Sequence, residues 1–448
     1  MMRSRRDFLK ATSLSVATAA LPPMGMQHPV PHSFVSKKTP TIMLRSSWRD
    51  ANIGDQGHTP GTLRLLERHI PEAQLLLWHA EPRPETEKLV TQNFPKVKIV
   101  RGNFYTGDTL SDELKAAFDQ TDLLIHNSSQ SFNYGLYNYE WGGPIRALTP
   151  FYYCYDKGIP FGIYGQSFDK FAPPSQYFFR DILNRAAFLY ARDNESLNFL
   201  KAETFHPSIL EFAPDGCFGI DIRDERKGLA YLTQAGLEDG KFLVVIIRTN
   251  TPHFNEKGEG NLLNPTKPTP EQQEQDRTRM AKIRQVITHW IKETGYKVLL
   301  APEVDKEMPQ AKNHLYDQLD VTIRQKVVLR DTFWNADEAM SVYARAHSLI
   351  GMEPHSLIMG LALGKPVIHV RSHFHGRKGW MFRDIGLPEW LFEVDESPAS
   401  AWIDQLSKIH RDYPAAKAKA QKAMAFVQKR QSETMMAVRK IVGLPSTK

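Results

Sequence analysis

His355 stands in the run Met352-Glu353-Pro354-His355-Ser356, between an apolar strand expected over Leu349–Gly351 and a helix expected over His355–Leu363. Pro354 suits a helix start, because the N–H it lacks would have no partner in the first turn anyway. An imidazole titrates near neutral pH and is the usual acid or base there. The free N–H groups and the dipole of a helix N-terminus favour an anion beside it. Ser356 adds a hydroxyl at the same place. Glu353 offers a carboxylate two residues before the histidine, as a candidate base. Arg248 follows the strand Phe242–Ile247 and so falls at the same edge of a parallel sheet. Arg192 follows the strand Phe188–Ala191 in the run Arg192-Asp193-Asn194-Glu195-Ser196. Its fork of donors suits a carboxylate or phosphate, and a structural pairing with an aspartate is equally open. Asp193 is a natural cap for a helix beginning at Asn194 or Glu195.

The run Asn52-Ile53-Gly54-Asp55 reads as a turn between the strand Thr41–Leu44 and a helix over Thr62–His69. Gly54 permits close approach of a ligand. Asp55 either caps the helix or meets a substrate hydroxyl. Further on, His369, His373 and His375 lie among Arg371, Arg377 and Lys378. Three imidazoles suggest a metal ion, but no paired carboxylate stands close by in the sequence to complete it. We therefore expect a loop that binds an anion or substrate, with neither metal nor cofactor. The stretch Asp122–Tyr139, followed by Trp141-Gly142-Gly143-Pro144, is dense in Asn, Ser, Tyr and Trp. Apolar ring faces with amide and hydroxyl tips suit a sugar. Gly165-Gln166-Ser167-Phe168 is placed to line the same cleft.

These residues need a frame that brings strand ends together. Strands are expected at Thr41–Leu44, Gln74–Trp78, Lys98–Val100, Asp122–His126, Pro160–Tyr164 and Phe188–Ala191, with helical stretches between them. The pattern restarts at Phe242–Ile247 and continues through Lys297–Leu300, Lys326–Leu329, Leu349–Gly351 and Pro366–Val370. Long helices are expected over Gln272–Thr294 and Ala415–Val442, and a shorter one over Ala401–Asp412, capped by Ser400. Strands alternating with helices argue for parallel sheets covered on both faces. The fold class is α/β, with two Rossmann-like domains at 39–222 and 223–405, then C-terminal helices at 406–448. Such sheets bind ligands at the carboxyl ends of their strands, so the cleft between the halves is the expected site.

Of the net charge of +7, residues 1–20 supply +3: Arg3, Arg5, Arg6 and Lys10 against Asp7. The rest is too dilute for a nucleic-acid partner. No apolar run reaches the length of a membrane span, so no membrane anchor is expected. Cys154 and Cys217, the two cysteines, sit in apolar surroundings and read as buried thiols or as one disulfide. The N-terminus carries Ser4-Arg5-Arg6-Asp7-Phe8-Leu9-Lys10, then a short apolar stretch and small residues at Ala17, Ala19 and Ala20. This resembles a twin-arginine export signal, an address read by a receptor. Residues 1–38 are set aside as signal and linker, and the expected location is the periplasm.

Several of these runs together resemble the polysaccharide pyruvyl transferase family. Asn52-Ile53-Gly54-Asp55 resembles its opening motif, and Arg192-Asp193-Asn194-Glu195-Ser196 its Arg-Asp-x-x-Ser segment. Ala213-Pro214-Asp215-Gly216 is similar to the Pro-Asp that closes the first half, and Arg248 to the arginine ending a second-half strand. Gly351–Ile358 is similar to the family's Arg-x-His stretch, and Ala362–Ile368 to its continuation; Lys378 stands near the basic residue that follows. The resemblance spans roughly residues 40–405. It implies a GT-B-like fold and transfer of pyruvate from phosphoenolpyruvate to sugar hydroxyls, forming a ketal. The candidate catalytic residues are His355, as acid, and Glu353 or Asp55, as base in a hydrolase. The candidate substrate-binding residues are Asn52, Gly54, Arg192, Arg248, Ser356 and Lys378, from these motifs, with Arg371 and Arg377 from the loop between them. The partners would be a polysaccharide or oligosaccharide and a small anionic pyruvyl compound.

Two features depart from the family. Glu353 stands where the family has arginine, and a carboxylate there repels phosphoenolpyruvate unless it is paired or turned away. Export also separates the protein from a cytoplasmic donor. An exported hydrolase of pyruvate ketals and a non-catalytic glycan-binding protein are the alternatives. If the paired arginines are the recognised element, replacing Arg5 and Arg6 by lysine should hold the protein in the cytoplasm. Fractionation of expressing cells reads this directly, and an unchanged periplasmic yield would contradict it.

Overall fold

Central strands of a parallel sheet, covered on both faces, are short and mostly apolar, and among the described residues thirteen strands form two sheets. The structure is a computed structural model that describes residues 39–45, 48–104, 110–128, 132, 142–249 and 269–445. The export signal expected in residues 1–38 lies outside these residues. The first sheet holds β1 (Thr41–Arg45), β2 (Gln74–Trp78), β3 (Lys98–Val100), β4 (Leu123–Asn127), β5 (Phe161–Gln166), β6 (Phe188–Ala191) and β7 (Leu210–Phe212). The second holds β8 (Phe242–Ile246), β9 (Lys297–Leu300), β10 (Val327–Leu329), β11 (Ser348–Gly351), β12 (Val367–Arg371) and β13 (Leu391–Glu393).

The orders are β3-β2-β1-β4-β5-β6-β7 and β10-β9-β8-β11-β12-β13. The pairings are parallel in both, as the sequence pattern anticipates. Each order reverses direction beside its first strand, at β1/β4 and at β8/β11. A ligand crevice opens at such a switch point, outside the carboxyl ends of the strands. Asn52 and Gly54 follow β1, Arg248 follows β8, and Glu353 and His355 follow β11.

Alternation along β1 divides the core. Ile42 and Leu44 face a large cluster that continues into the second half through Val245, Leu299 and Leu357. Met43 faces a second cluster containing Phe151, Phe161 and Phe179. The helix Tyr413–Ile441 packs across both halves. It touches the first-half helix Ile53–His69 and the second-half helices Pro354–Ala362 and Ala399–Arg411. Tyr164 and Thr434 share a hydrogen bond of 2.9 Å, and Arg439 grips Glu72 with two contacts of 2.6 Å. Cys154 and Cys217 are both free and buried, one in each cluster.

Two local expectations are corrected. Asn52–Asp55 is no turn: the helix Ile53–His69 begins at once, with Asn52 as its cap. The Asn52 side chain accepts the Gly54 and Asp55 N–H groups at 2.8 and 3.2 Å. The helix Ala399–Arg411 starts after Pro398, which leaves Ser400 inside the first turn, where it cannot cap.

The first-half helix lies close against the turn Gly216–Gly219. A Cβ on Gly61 would stand 2.1 Å from the Gly216 carbonyl oxygen, which is rigid backbone. Gly61→Ala should therefore push helix and turn apart and cost about 1–3 kcal/mol or more. Thermal or urea denaturation measures this, and an unchanged midpoint would show that the contact yields freely.

Candidate active site

The chain leaving β1 meets the chain leaving β9. Asn52 and Val304 form an antiparallel bridge, flanked by Ile53 N–H to Glu303 O at 2.9 Å and Asp305 N–H to Ala51 O at 3.1 Å. This junction sets Glu303 against the start of the first-half helix. Glu303 is fully buried. One of its oxygens accepts the Ser356 N–H at 2.7 Å, and the other lies 3.0 Å from His355 Nδ1. The carboxylate thus occupies the N-terminus of the helix Pro354–Ala362, where an anion is favoured. Only glycine fits at 54, since a Cβ there would lie 2.6 Å from both Glu303 Oε1 and His355 Nδ1.

His355 is itself only 5% exposed, and its Nε2 is buried without a hydrogen-bond partner. Burial, then the neighbouring His58, hold the imidazole well below its usual value, so it is neutral. Burial and the nearby Glu353 push Glu303 upward. With the Glu303 carboxyl protonated, Oε1–H donates to Nδ1 and Nε2 carries the ring proton and donates; with the carboxyl ionised, Nδ1–H donates to it and Nε2 accepts, the two states differing by one proton.

Glu353 does not join this pair. Its side chain makes no cap bond to the helix it precedes. Arg248 grips one oxygen, and Lys378 Nζ stands 3.7 Å from the other. Burial raises Glu353, but the two cations outweigh it and hold the carboxyl below its ordinary range. The residue is thus an ion-paired carboxylate rather than an acid or base. A third acid, Glu307, accepts the Glu303 and Val304 N–H groups at 2.8 and 3.1 Å.

The first half answers with its own buried network. His58 Nδ1 lies 2.8 Å from Asp215 Oδ1, and the His58 ring meets the His355 ring edge-on at 4.5 Å between centroids. Arg192 bonds Asp215 at 2.6 Å and Ser167 at 2.8 Å. Ser167 bonds Asp193, which caps its helix by accepting the Ser196 N–H at 2.6 Å. Arg192 is therefore paired with Asp215 and Ser167 within the first half.

Other expected residues fall elsewhere. Asp55 pairs with Arg49 and not with His355. Arg371 forms an ion pair with Glu393 across 3.0 Å, without hydrogen-bond alignment, and lies over Trp380. Arg377 ties the halves together: its side chain bonds Phe168 O at 2.7 Å and its N–H bonds Asp169 at 2.8 Å. His369 Nδ1 lies 3.1 Å from Gly351 O, and His373 lies 2.7 Å from Glu396. The His375 side chain and most of the aromatic stretch 129–141 lie outside the described residues. Asn127, Ser128 and Gln166, at the ends of β4 and β5, carry buried polar atoms without partners.

The structure thus gathers Asn52, Gly54, Arg248, Glu353, His355, Ser356 and Lys378, and adds Glu303, His58 and Asp215. Glu303 follows β9, so the rule that finds Arg248 at a strand end applies to it equally. Among the described residues, His58, Asp215 and His355 are the group whose donor atoms, within 4.8 Å of one another, could hold a metal ion. Hydrogen bonds already engage both Asp215 oxygens, however.

The two glutamates give stability opposite pH dependences. Glu303, raised in the folded state, favours folding at low pH, and that contribution is lost as pH climbs from the ordinary 4.5 toward its raised value. Glu353, lowered, contributes above 4.5 and loses its share as pH falls below that value. Glu303→Gln should remove the first slope, so its denaturation midpoint relative to wild type rises with pH through that window. Parallel curves for the two proteins would contradict the assignment.

Comparison with known proteins agrees with this architecture. Residues 52–373, well over half of the chain, match the family described as polysaccharide pyruvyl transferase. No curated protein shows significant similarity to the sequence. Among solved structures, HepE of Anabaena with UDP and glucose superposes with a TM-score of 0.53 at 11% identity, covering 88% of this chain and 97% of that one. The UDP-GlcNAc 2-epimerase of Neisseria meningitidis gives 0.55 at 10% identity, covering 90% and 100%. MnaA of S. aureus with UDP gives 0.53 at 9% identity, covering 91% and 98%. At these identities the likeness shows the fold alone, which is GT-B-like. With its motifs in order along that fold, the chain belongs to the polysaccharide pyruvyl transferase family.

Proposed function

We propose that this protein transfers a pyruvyl group from phosphoenolpyruvate to hydroxyls of a polysaccharide or oligosaccharide, leaving a ketal and phosphate. The observation that carries the reading is His355, with Nδ1 on Glu303 and a buried Nε2 that has no partner. In its donor form Nε2–H protonates the enol methylene, which becomes the methyl group. The cation at the adjacent carbon takes a sugar hydroxyl oxygen, whose proton returns to Nε2. The carbon–oxygen bond to phosphate then breaks, phosphate leaves, and a second hydroxyl closes the ketal with loss of its proton. Positioned proton transfer of this kind contributes about 10²–10⁴-fold. Lys378 acts on both members of the pair, and with Arg248, its partner on Glu353, it would hold the donor's anionic groups.

The pairing of Glu353 favours a second reading, hydrolysis of pyruvate ketals. Both cations already balance a carboxylate, and a ketal bearing one carboxylate demands less positive charge than phosphoenolpyruvate. This reaction needs no activated donor, so it suits the export that we also propose from Arg5 and Arg6. One paired assay on the purified protein separates the two. Transfer predicts phosphate release from phosphoenolpyruvate only when a glycan acceptor is present. Pyruvate released from a ketal-bearing glycan, without that phosphate release, would replace transfer by hydrolysis. Glycan binding with neither product would make the protein a non-catalytic binder.

A further inference from the structure

We infer that His58 is a positioning residue for His355: the first half contributes a second carboxylate–histidine pair, Asp215–His58, whose ring contact fixes the His355 imidazole in place. The inference deepens the proton-transfer reading of His355 and rests on it for its functional meaning. A single hydrogen bond to Glu303 holds one edge of the His355 ring but leaves its plane free to swing about that bond. The edge-on His58 ring, 4.5 Å away and at 78°, supplies the second point of contact.

His58 is itself unusually well anchored. Asp215 Oδ1 accepts from His58 Nδ1 and from the Cys217 N–H, both at 2.8 Å, while Oδ2 accepts from Arg192 at 2.6 Å. Burial raises Asp215, but His58 and Arg192 outweigh it and keep the carboxyl ionised, so Nδ1 of His58 is the donor. The backbones are fixed as well. A Cβ on Gly57 would meet Cys217 Sγ at 2.7 Å, and one on Gly61 would meet Gly216 O. His58 Nδ1 is taken up by Asp215, and both Asp215 oxygens are taken up by His58, Cys217 N–H and Arg192, so the pair is placed to act through the ring contact with His355. Because Asp215–His58 belongs to the first half and Glu303–His355 to the second, His355 is held on both sides only when the halves are packed together.

The test uses the full purified chain with ¹⁵N-labelled histidine, the His355 signals being assigned by their loss in His355→Gln. Titratable or charged groups facing His355 are Glu303, His58, Asp215, Glu353, Lys378 and Arg192, so all variants are compared over one pH range. The ring nitrogens of His355 should report one dominant tautomer in wild type. They should become averaged in His58→Ala, which lacks the ring, and stay close to wild type in His58→Phe, which keeps it. If His58→Ala does not fold, His58→Gln, with a donor for Asp215 but no ring, is read in the same way. In turnover, His58→Ala should lower kcat by on the order of 100-fold with KM within about threefold, and should add nothing in a His355→Gln background.

His355 signals unchanged by loss of the His58 ring would overturn the inference. So would a His58→Phe as impaired as His58→Ala, since ring nitrogens and not ring contact would then matter. A divalent metal ion bound at one per chain and lost in His58→Ala would also overturn it, because the two imidazoles and Asp215 would be ligands. Tautomer changes as expected in a protein without any pyruvyl transfer would leave the positioning role standing and remove the reaction assigned to it.

Discussion

Glu303 lies buried at the junction of the two halves, with one oxygen on the Ser356 N–H and the other on His355 Nδ1. An isolated buried carboxylate is costly, so its surroundings must satisfy it, and they do so from both sides. The N-terminus of the helix Pro354–Ala362 supplies an N–H and a favourable dipole. The bridge between Asn52 and Val304 carries Glu303 to its place. The absence of a side chain at Gly54 leaves room for it. The helix end that would otherwise attract a ligand anion is thereby filled from within. What remains available for chemistry is the far nitrogen of His355.

Charge is balanced locally around this pair. Arg248 and Lys378 answer Glu353, and Arg192 and His58 answer Asp215. Removing one partner of such a buried pair costs far more than the intact pair contributes to stability. The arrangement is therefore better understood as fixing geometry than as strengthening the fold. It also explains how a glutamate stands where the family has arginine. Glu353 is turned away from the helix end and neutralised, and the site keeps a hydrogen-bonded histidine beside two cations.

Much of this was legible in the sequence, because it depends on local pattern. The apolar runs that form β1, β2, β8 and β9 are short, bounded and followed by helical periodicity, so the alternation and the parallel sheets follow from them. His355 and Arg248 were found by their place after strands, and Asp193 by its capping chemistry. What is not legible has one cause: a charged side chain does not announce its partner. Arg192 looks like an anion ligand until Asp215, more than twenty positions away, is seen to hold it. Asp55 looks catalytic until Asn52 takes the cap and Arg49 takes the carboxylate. His58 gives no such signal, because it lies between the turn expected at Asn52–Asp55 and the helix expected over Thr62–His69, in a helix that runs through Pro60.

The central claim is that Nε2 of His355 delivers the proton that turns the donor's methylene into a methyl group. Running the reaction in D₂O with phosphoenolpyruvate and a glycan acceptor, and reading the product by mass spectrometry, tests it most directly. The account predicts one deuterium per transferred pyruvyl methyl group with wild type, and no labelled ketal above background with His355→Gln. Undiminished formation of the singly deuterated ketal by His355→Gln would show that another group delivers the proton.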